Sequence, residues 1–353
     1  MFDAEDHLTR LSRLRKRCNE NASNKLTSVA GTFAGDTLSA NAVEFEKAYA
    51  EMDLIMDAAF PQTSWGAYLT NKAEEHGILR KAATKAVVIL KLTGEANAAI
   101  PKGSLFSTAE GINFVTVADG QIGTDGTAEV KAEAQEAGAA YNVDAETIIK
   151  IPVSIYGVQS VTNDAAAYDG FEEETDAELL ERLLFKVRQP ATSGNANQYQ
   201  IWATSVAGVG SAKVLPLWAG NGTVKVLIMD ADGNIASTDL ITKVKDYIDD
   251  NAPIGATVTV ASFTPVTIDI TLTATVGTGR EDGIKTAVNG YFKTVALNSS
   301  YVSYAQVGNV ILDESLLTGI TDYKDLTLND DVKNIELADD EIPVVGEVTL
   351  RAQ

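Results

Sequence analysis

"PATSGNANQYQIWATSVAGVGSAKVLPLW", residues 190–218, decides how the chain is read. Its glycine-rich "GVGSAK" (Gly208 to Lys213) imitates a dinucleotide loop. A phosphate cradle needs the order strand, loop, helix, so that a helix N-terminus faces the anion. Here the order is reversed. Asn195 or Ser193 can cap a helix that carries Tyr199, Trp202, Ala203 and Val206 on one face. Gly208 and Gly210 then release the chain into a strand, "SAKVLPLW". The stretch reads as a joint between a helix and a sheet, with Pro190 closing the helix before it.

Working outward, "EEETDAELLERLLFKVR" precedes the joint. Thr175 and Glu178 have the spacing of a capping box. Leu180, Leu183, Leu184 and Val187 form the expected buried stripe, with Glu178 and Arg182 one turn apart. The acidic run Glu172–Glu174, Asp176 and Glu178 crowds a helix start, where the macrodipole favours negative charge; this is not the cross-cleft pair a glycosidase needs. After the joint, "TVKVLIMD" pairs with "SAKVLPLW" through Gly220–Gly222. A helix from Ser237 or Thr238 places Leu240, Ile241, Val244, Tyr247 and Ile248 inward, and "ATVTVASF" and "TIDITLTATV" follow as strands. This is a split β-α-β pattern. "DADGN" (Asp230 to Asn234) reads as a turn, because Ile241 stands where a calcium loop needs a bidentate Glu. Beyond Val276 the pattern partly repeats, with helices at 281–294 and 304–312 and strands at 320–328 and 347–350.

The first 80 residues read as helical. From Thr37 to Phe60, Leu38, Ala42, Phe45, Tyr49, Met52, Ile55, Met56 and Ala59 recur at three and four. Pro61 ends that helix, and a shorter one from Ser64 carries Trp65, Tyr68 and Leu69 on one side. Between Thr84 and Tyr168, short runs such as 87–92, 113–117 and 128–134 alternate with Gly, Pro, Asn and Asp turns. That spacing predicts a small antiparallel sandwich or barrel, with Phe106, Phe114 and Tyr141 in its core. The fold class expected is therefore α+β and multidomain: an N-terminal helical segment (1–80), a small β-rich domain (81–170), and two split β-α-β-like α+β domains (171–265 and 266–353).

Composition narrows the function. The 353 residues are enough for roughly two to four compact units. A net charge of −21 argues against nucleic acid and anionic lipid as partners. The one basic patch, Arg10 to Arg17, fits a helix that docks on an acidic protein neighbour. Cys18 is the single cysteine, so no intrachain disulfide forms, and no apolar run suggests a signal peptide or a membrane span. His7 and His76 are the only histidines and neither has a second ligand at metal spacing; no catalytic, cofactor or metal residues are expected.

The order of segments resembles the baseplate J-like family of contractile phage tails and related contractile particles, tailocins included. "FPQTSWGAYLTNKAEEHGILRKAATKA", "GEANAAIPKGSLFSTAEGINFVT", "AEAQEAGAAYNVDAETI" and "EEETDAELLERLLFKVRQPATSGNANQYQIWATSVAGVGSAKVLP" carry the resemblance, which spans roughly residues 37 to 265. It implies a non-enzymatic building block of the tail baseplate, made and assembled in the bacterial cytoplasm. Two copies would join a smaller I-type tail protein in a wedge, and six wedges would ring the hub and spike. A sheath-initiator protein would link wedge to hub, and the ring would transmit the trigger for sheath contraction. The residues expected to shape the fold and its interfaces are Leu38, Phe45, Tyr49, Met52, Thr175, Glu178, Leu180, Leu184, Pro190, Tyr199, Trp202, Gly208 and Gly210. The competing readings are a glycan-binding tail adhesin built on the β-rich domain and a cell-wall hydrolase suggested by the acidic clusters.

Overall fold

The computed structural model describes residues 6–21, 29–192, 194–274, 280–295, 297 and 299–352. The chain divides into two compact units, residues 1–80 with 175–187, and residues 81–174 with 188–353. The strand predicted at 267–276 runs past the described residues at Thr275 and Val276.

The first unit is helical: α1 (His7–Asn21), α2 (Phe33–Ala59), α3 (Gly66–Glu75) and α4 (Asp176–Arg188). Helix α2 begins four residues before the expected Thr37. Thr32 caps it by accepting from the Gly35 amide at 3.1 Å, and Asp36 sits in its first turn, at the positive end of the dipole. Its apolar stripe is not buried as a core stripe would be. Only Ala42 is fully covered; Leu38 and Tyr49 are half-buried, and Phe45, Met52 and Ile55 are exposed. Helix α1 covers part of it, with the buried Arg10 guanidinium 4.6 Å from the Tyr49 ring centre.

Helices α3 and α4 share a core of Leu69, Ala73, Ile78, Leu179 and Leu183. The buried face of α4 is thus turned one residue from the expected stripe: Leu180 and Leu184 are half-buried and Val187 is exposed. Leucines at 179, 180, 183 and 184 give two adjacent stripes of equal apolarity, and the packing of α3 selects 179 and 183. Trp65 and Tyr68, read from sequence as sharing one side with Leu69, do not share its burial. They stack edge to face at 5.5 Å on the exposed side of α3, while Leu69 is buried. The capping box closes reciprocally: the Thr175 amide donates to Glu178 Oε2 at 2.8 Å, and the Glu178 amide to Thr175 Oγ1 at 3.3 Å. Asp176 accepts from the Gly66 amide at 2.9 Å and from Arg80 at 2.5 Å, which ties the start of α4 to the start of α3. Those two bonds, the Gly66 amide first, hold its pKa below the ordinary carboxylate value.

The second unit opens with β1 (Lys85–Gly94), β2 (Ala99–Ile100), β3 (Leu105–Thr108), β4 (Asn113–Thr116), β5 (Gly120–Gln121), β6 (Thr127–Ala137), β7 (Ile148–Lys150) and β8 (Val158–Thr162). Six of them form one antiparallel sheet in the order β7-β3-β4-β6-β1-β8, and β2 pairs with β5. Phe106 and Phe114 are cross-strand partners and fully buried, whereas Tyr141 packs at the rim. Asn163 stitches the two edge strands. Its Oδ1 accepts from the Ile148 amide, its Nδ2 donates to the carbonyls of Asp144 and Ala165, and its own carbonyl accepts from the Glu146 amide. That bridge brings the sheet close to a closed barrel, which removes free edges.

The central sheet holds β9 (Val209–Pro216), β10 (Thr223–Asp230) and β11 (Thr257–Ser262) in the order β11-β10-β9, with α5 (Ala196–Ser205) and α6 (Thr238–Asn251). Strand β10 runs antiparallel to β9 and parallel to β11, so α6 is the crossover of the split β-α-β unit. Four successive residues of β10, Val226 to Met229, are buried because both sheet faces are covered. Val226 and Ile228 join Tyr199, Leu240, Val244 and Ile248 under the helices; Leu227 and Met229 meet Phe263 and Ile342 on the other side.

The last sheet is β14-β12-β16, from β12 (Thr264–Ala274), β14 (Tyr323–Leu328) and β16 (Glu341–Ala352), beside the short pair β13 (Tyr301–Val302) and β15 (Ile335–Glu336). Strand β12 is antiparallel to β14 and parallel to β16. Helices α7 (Glu281–Val295), α8 (Tyr304–Asp313) and α9 (Ser315–Thr318) complete it, with Ile284, Val288, Phe292, Val307 and Ile311 buried against the strands. The architecture is α+β and multidomain.

Candidate functional site

Residues 190–218 form a joint whose two ends do different work. At its start the Pro190 carbonyl accepts from Asn195 Nδ2 at 2.8 Å and Asn197 Nδ2 at 3.2 Å, which closes the turn after α4. Asn195 is the cap of α5, its side chain accepting from the Gln198 amide at 3.0 Å. Ser193, the other candidate cap, lies outside the described residues. Tyr199 anchors α5 in the core, and burial raises its phenol pKa. Trp202 does not share that depth: it stands edge-on to Tyr199 at 5.1 Å and is half-buried. The helix face is set by Tyr199 and Ala203, and position 202 falls at its margin.

The two glycines at the far end also differ. Gly208 lies in the turn after α5 with φ +92°, and a Cβ there would sit 3.2 Å from the Phe171 ring and 3.3 Å from Leu240. Gly210 does not belong to the helix exit where the sequence reading puts it; it is a residue of β9. A Cβ there would lie 2.4 Å from the Asp230 carbonyl oxygen, at the bulge where β9–β10 pairing shifts. The order α5, turn, β9 leaves no helix N-terminus facing these glycines, so the segment cannot cradle a phosphate.

Phe171 comes from the segment that leaves the barrel after β8, and the charged residues around it show what the turn is for. Lys81 donates to the Val209 carbonyl at 2.6 Å. Ser237, the cap of α6, donates to the buried Asp169 at 2.6 Å and accepts from the Leu240 amide. Lys131 on β6 pairs with Asp239 in the first turn of α6 at 2.5 Å, and that bond raises the lysine pKa. Tyr168 reaches the same carboxylate at 3.5 Å. The N-terminus of α6 is therefore fastened to the barrel by hydrogen bonds and one ion pair. On the opposite face of the central sheet, Lys213 pairs with Asp339 at 3.1 Å and Lys225 with Asp340 at 2.9 Å, beside the apolar contact of Leu227 and Met229 with Phe263 and Ile342. The central sheet is thus clamped between its neighbours.

The 230–234 segment is a turn closed by the Gly233 amide on the Asp230 carbonyl at 3.0 Å. Asp230 is spent on the Asn234 amide at 2.7 Å, and burial raises its pKa. Among the described residues, no group of three or more His, Cys, Asp or Glu is placed to hold a metal ion. No described helix is long and apolar enough to cross a membrane.

Of the residues singled out from sequence, Pro190, Tyr199, Trp202, Gly208 and Gly210 build this joint. Leu38, Phe45, Tyr49 and Met52 lie on α2, and Thr175, Glu178, Leu180 and Leu184 at or within α4, in the other unit. Lys81, Lys131, Asp169, Phe171 and Asp239 were not singled out for it. Phe171 reaches Gly208 across 37 residues of chain and the others act across 68 to 128, and no local periodicity marks any of them.

Three family models match in chain order. They are the baseplate J-like protein barrel domain at residues 89–170, the baseplate J-like central domain at 191–262, and the baseplate J-like protein C-terminal domain at 264–351. The chain belongs to the baseplate J-like family. It is 33% identical over 335 residues to the phage-like element PBSX protein XkdT of Bacillus subtilis, covering 92% of each chain. It is 36% identical over 178 residues to baseplate protein gp47 of Escherichia phage Mu, covering 49% of each. A chain of the anti-feeding prophage baseplate, solved by cryo-EM, aligns over 96% of this chain and 97% of its own at TM-score 0.39 and 12% identity, a likeness too distant to carry function. As a baseplate J-like protein, the chain is a structural component of a multi-protein baseplate in a virion or tail-like particle.

Proposed function

We propose that this chain is a wedge protein of a contractile-tail baseplate and acts through assembly, not catalysis. The observation that carries the reading is the uncovered stripe on α2. Leu38, Ala42, Phe45, Tyr49, Met52, Met56 and Ala59 are spaced 4-3-4-3-4-3 along 27 residues, about 40 Å of helix. That is a coiled-coil seam, yet Phe45 and Met52 stay about half exposed. A seam of that length is stable when other helices complete it, here those of a second copy and of a smaller I-type protein. Six such wedges ring the hub and spike, joined to the hub through a sheath-initiator protein. In this reading residues 1–80 are the wedge arm, 81–170 and 171–265 the barrel and central domains, and 266–353 the domain of ring contacts. The ring transmits the trigger by shifting between discrete packings.

Co-expression with the I-type protein tests it. Phe45→Glu with Met52→Glu should abolish co-purification while leaving circular dichroism and the unfolding midpoint of the chain unchanged. Wild-type recovery of the partner by that variant would refute the role given to α2.

A further inference from the structure

Two members of the α2 seam are already covered within the chain. Tyr49 lies under the Arg10 guanidinium of α1, 4.6 Å from its ring centre, and Ala42 is fully buried. His7 of α1 stands 3.8 Å from Glu46, between those two positions on α2. A helix that completes the seam has to meet Tyr49, so it has to take the place of α1.

The hold of α1 on α2 is built for release. A helix docked for good buries an apolar stripe, as α7 does with Ile284, Val288 and Phe292. The least exposed residues of α1 are Arg10, Leu11, Leu14, Arg15 and Cys18, and only Arg10 and Leu11 are buried. Arg10 Nη1 and Arg15 Nε are buried with no hydrogen-bond partner among the described residues. Each gives up its water and gains no acceptor, a cost that is recovered when α1 lifts and both groups rehydrate. Against that cost stand Leu11 and long-range charge. Five basic residues between Arg10 and Arg17 lie on the helix that packs on α2, which carries six carboxylates and one lysine. The basic run expected to dock on an acidic protein neighbour thus meets an acidic helix of its own chain.

We propose that α1 is an autoinhibitory strap, which occupies the α2 seam in the free chain and is displaced by the helix of the I-type protein. The inference rests on the wedge reading of α2 and adds its regulation. Only chains with the strap lifted bind, so the apparent affinity falls by the fraction in which it is open.

Hydrogen exchange of the full chain, alone and bound to the I-type protein, tests it. The amides of α1 should be protected in the free chain and lose that protection in the complex. Leu11→Glu should open the strap and tighten binding of the I-type protein by on the order of tenfold. Arg10→Met keeps the length of the side chain and removes the unpaired donor. It should slow exchange in α1 and weaken binding by on the order of tenfold. Protection of α1 that persists or rises in the complex would overturn the proposal, as would Leu11→Glu binding no tighter than wild type. The wedge reading survives either result as long as Phe45→Glu with Met52→Glu loses the partner; recovery of the partner by that double variant overturns both.

Discussion

The two glycines that follow α5 provide a sharp test of the joint, because one is required for its backbone conformation and the other for space. Gly220, at φ +108° with nothing within 4 Å of where a Cβ would stand, isolates the conformational cost. Gly220→Ala should destabilise by about 1–2 kcal/mol. Gly208→Ala carries the same cost plus contacts of 3.2 Å to Phe171 and 3.3 Å to Leu240, which must yield by a few tenths of an ångström. Adding an overpacking cost of about 1 kcal/mol or more gives roughly 2–4 kcal/mol. Gly210→Ala has no left-handed conformation to adopt, but its Cβ meets the Asp230 carbonyl oxygen at 2.4 Å. A Cβ in ordinary contact sits about 3.4 Å or more from its neighbour, so two hydrogen-bonded strands would have to part by about 1 Å. That places Gly210→Ala at about 3 kcal/mol or more, the upper end of overpacking costs. Urea unfolding followed by tryptophan fluorescence reads this directly, since Trp202 and Trp218 lie on α5 and beside β9 and only Trp65 is elsewhere. At a slope of about 1–3 kcal/mol per molar urea, Gly210→Ala should lower the midpoint by about 1 M or more. A Gly210→Ala midpoint within experimental error of wild type, or a Gly220→Ala loss as large, would refute the close approach at the bulge.

Tyr199→Ala should cost about 3–5 kcal/mol, as for other buried aromatics, and Trp202→Ala clearly less because that ring is half-buried; equal losses in urea unfolding would place both at the same depth. Asp176 has a pKa depressed by the Gly66 amide and by Arg80. Its contribution to docking α4 on α3 is therefore complete above the unfolded value of 3.8 and lost as pH falls through the lower folded value. Asp176→Asn should remove that part of the acid dependence, and an unchanged stability profile between about pH 5 and 2 would count against it.

Much of the fold is legible in the sequence wherever one local rule acts alone. The Thr175–Glu178 capping box, the Asn195 cap and the crossover order β10-α6-β11 each follow from spacing within a few residues. Elsewhere the local signal is degenerate. The leucines of α4 allow two adjacent stripes, and only the presence of α3 decides that Leu179 and Leu183 are buried in place of Leu184 and Val187. The seam on α2 announces a helix but not its partner: within the chain α1 covers only part of it, and Phe45 stays exposed.

The joint separates the two kinds of information most clearly. Sequence alone determines that residues 190–218 pass from turn to helix to strand, and hence that the glycines cannot bind phosphate, because backbone preferences are fixed within a few residues. What the glycines touch is decided only in three dimensions. Phe171 and Asp230 reach them from other elements, and the Asp169–Ser237 and Lys131–Asp239 contacts close over 68 and 108 residues of chain. Such contacts form because folding brings distant charges and rings to one place, and that convergence leaves no periodic trace along the chain.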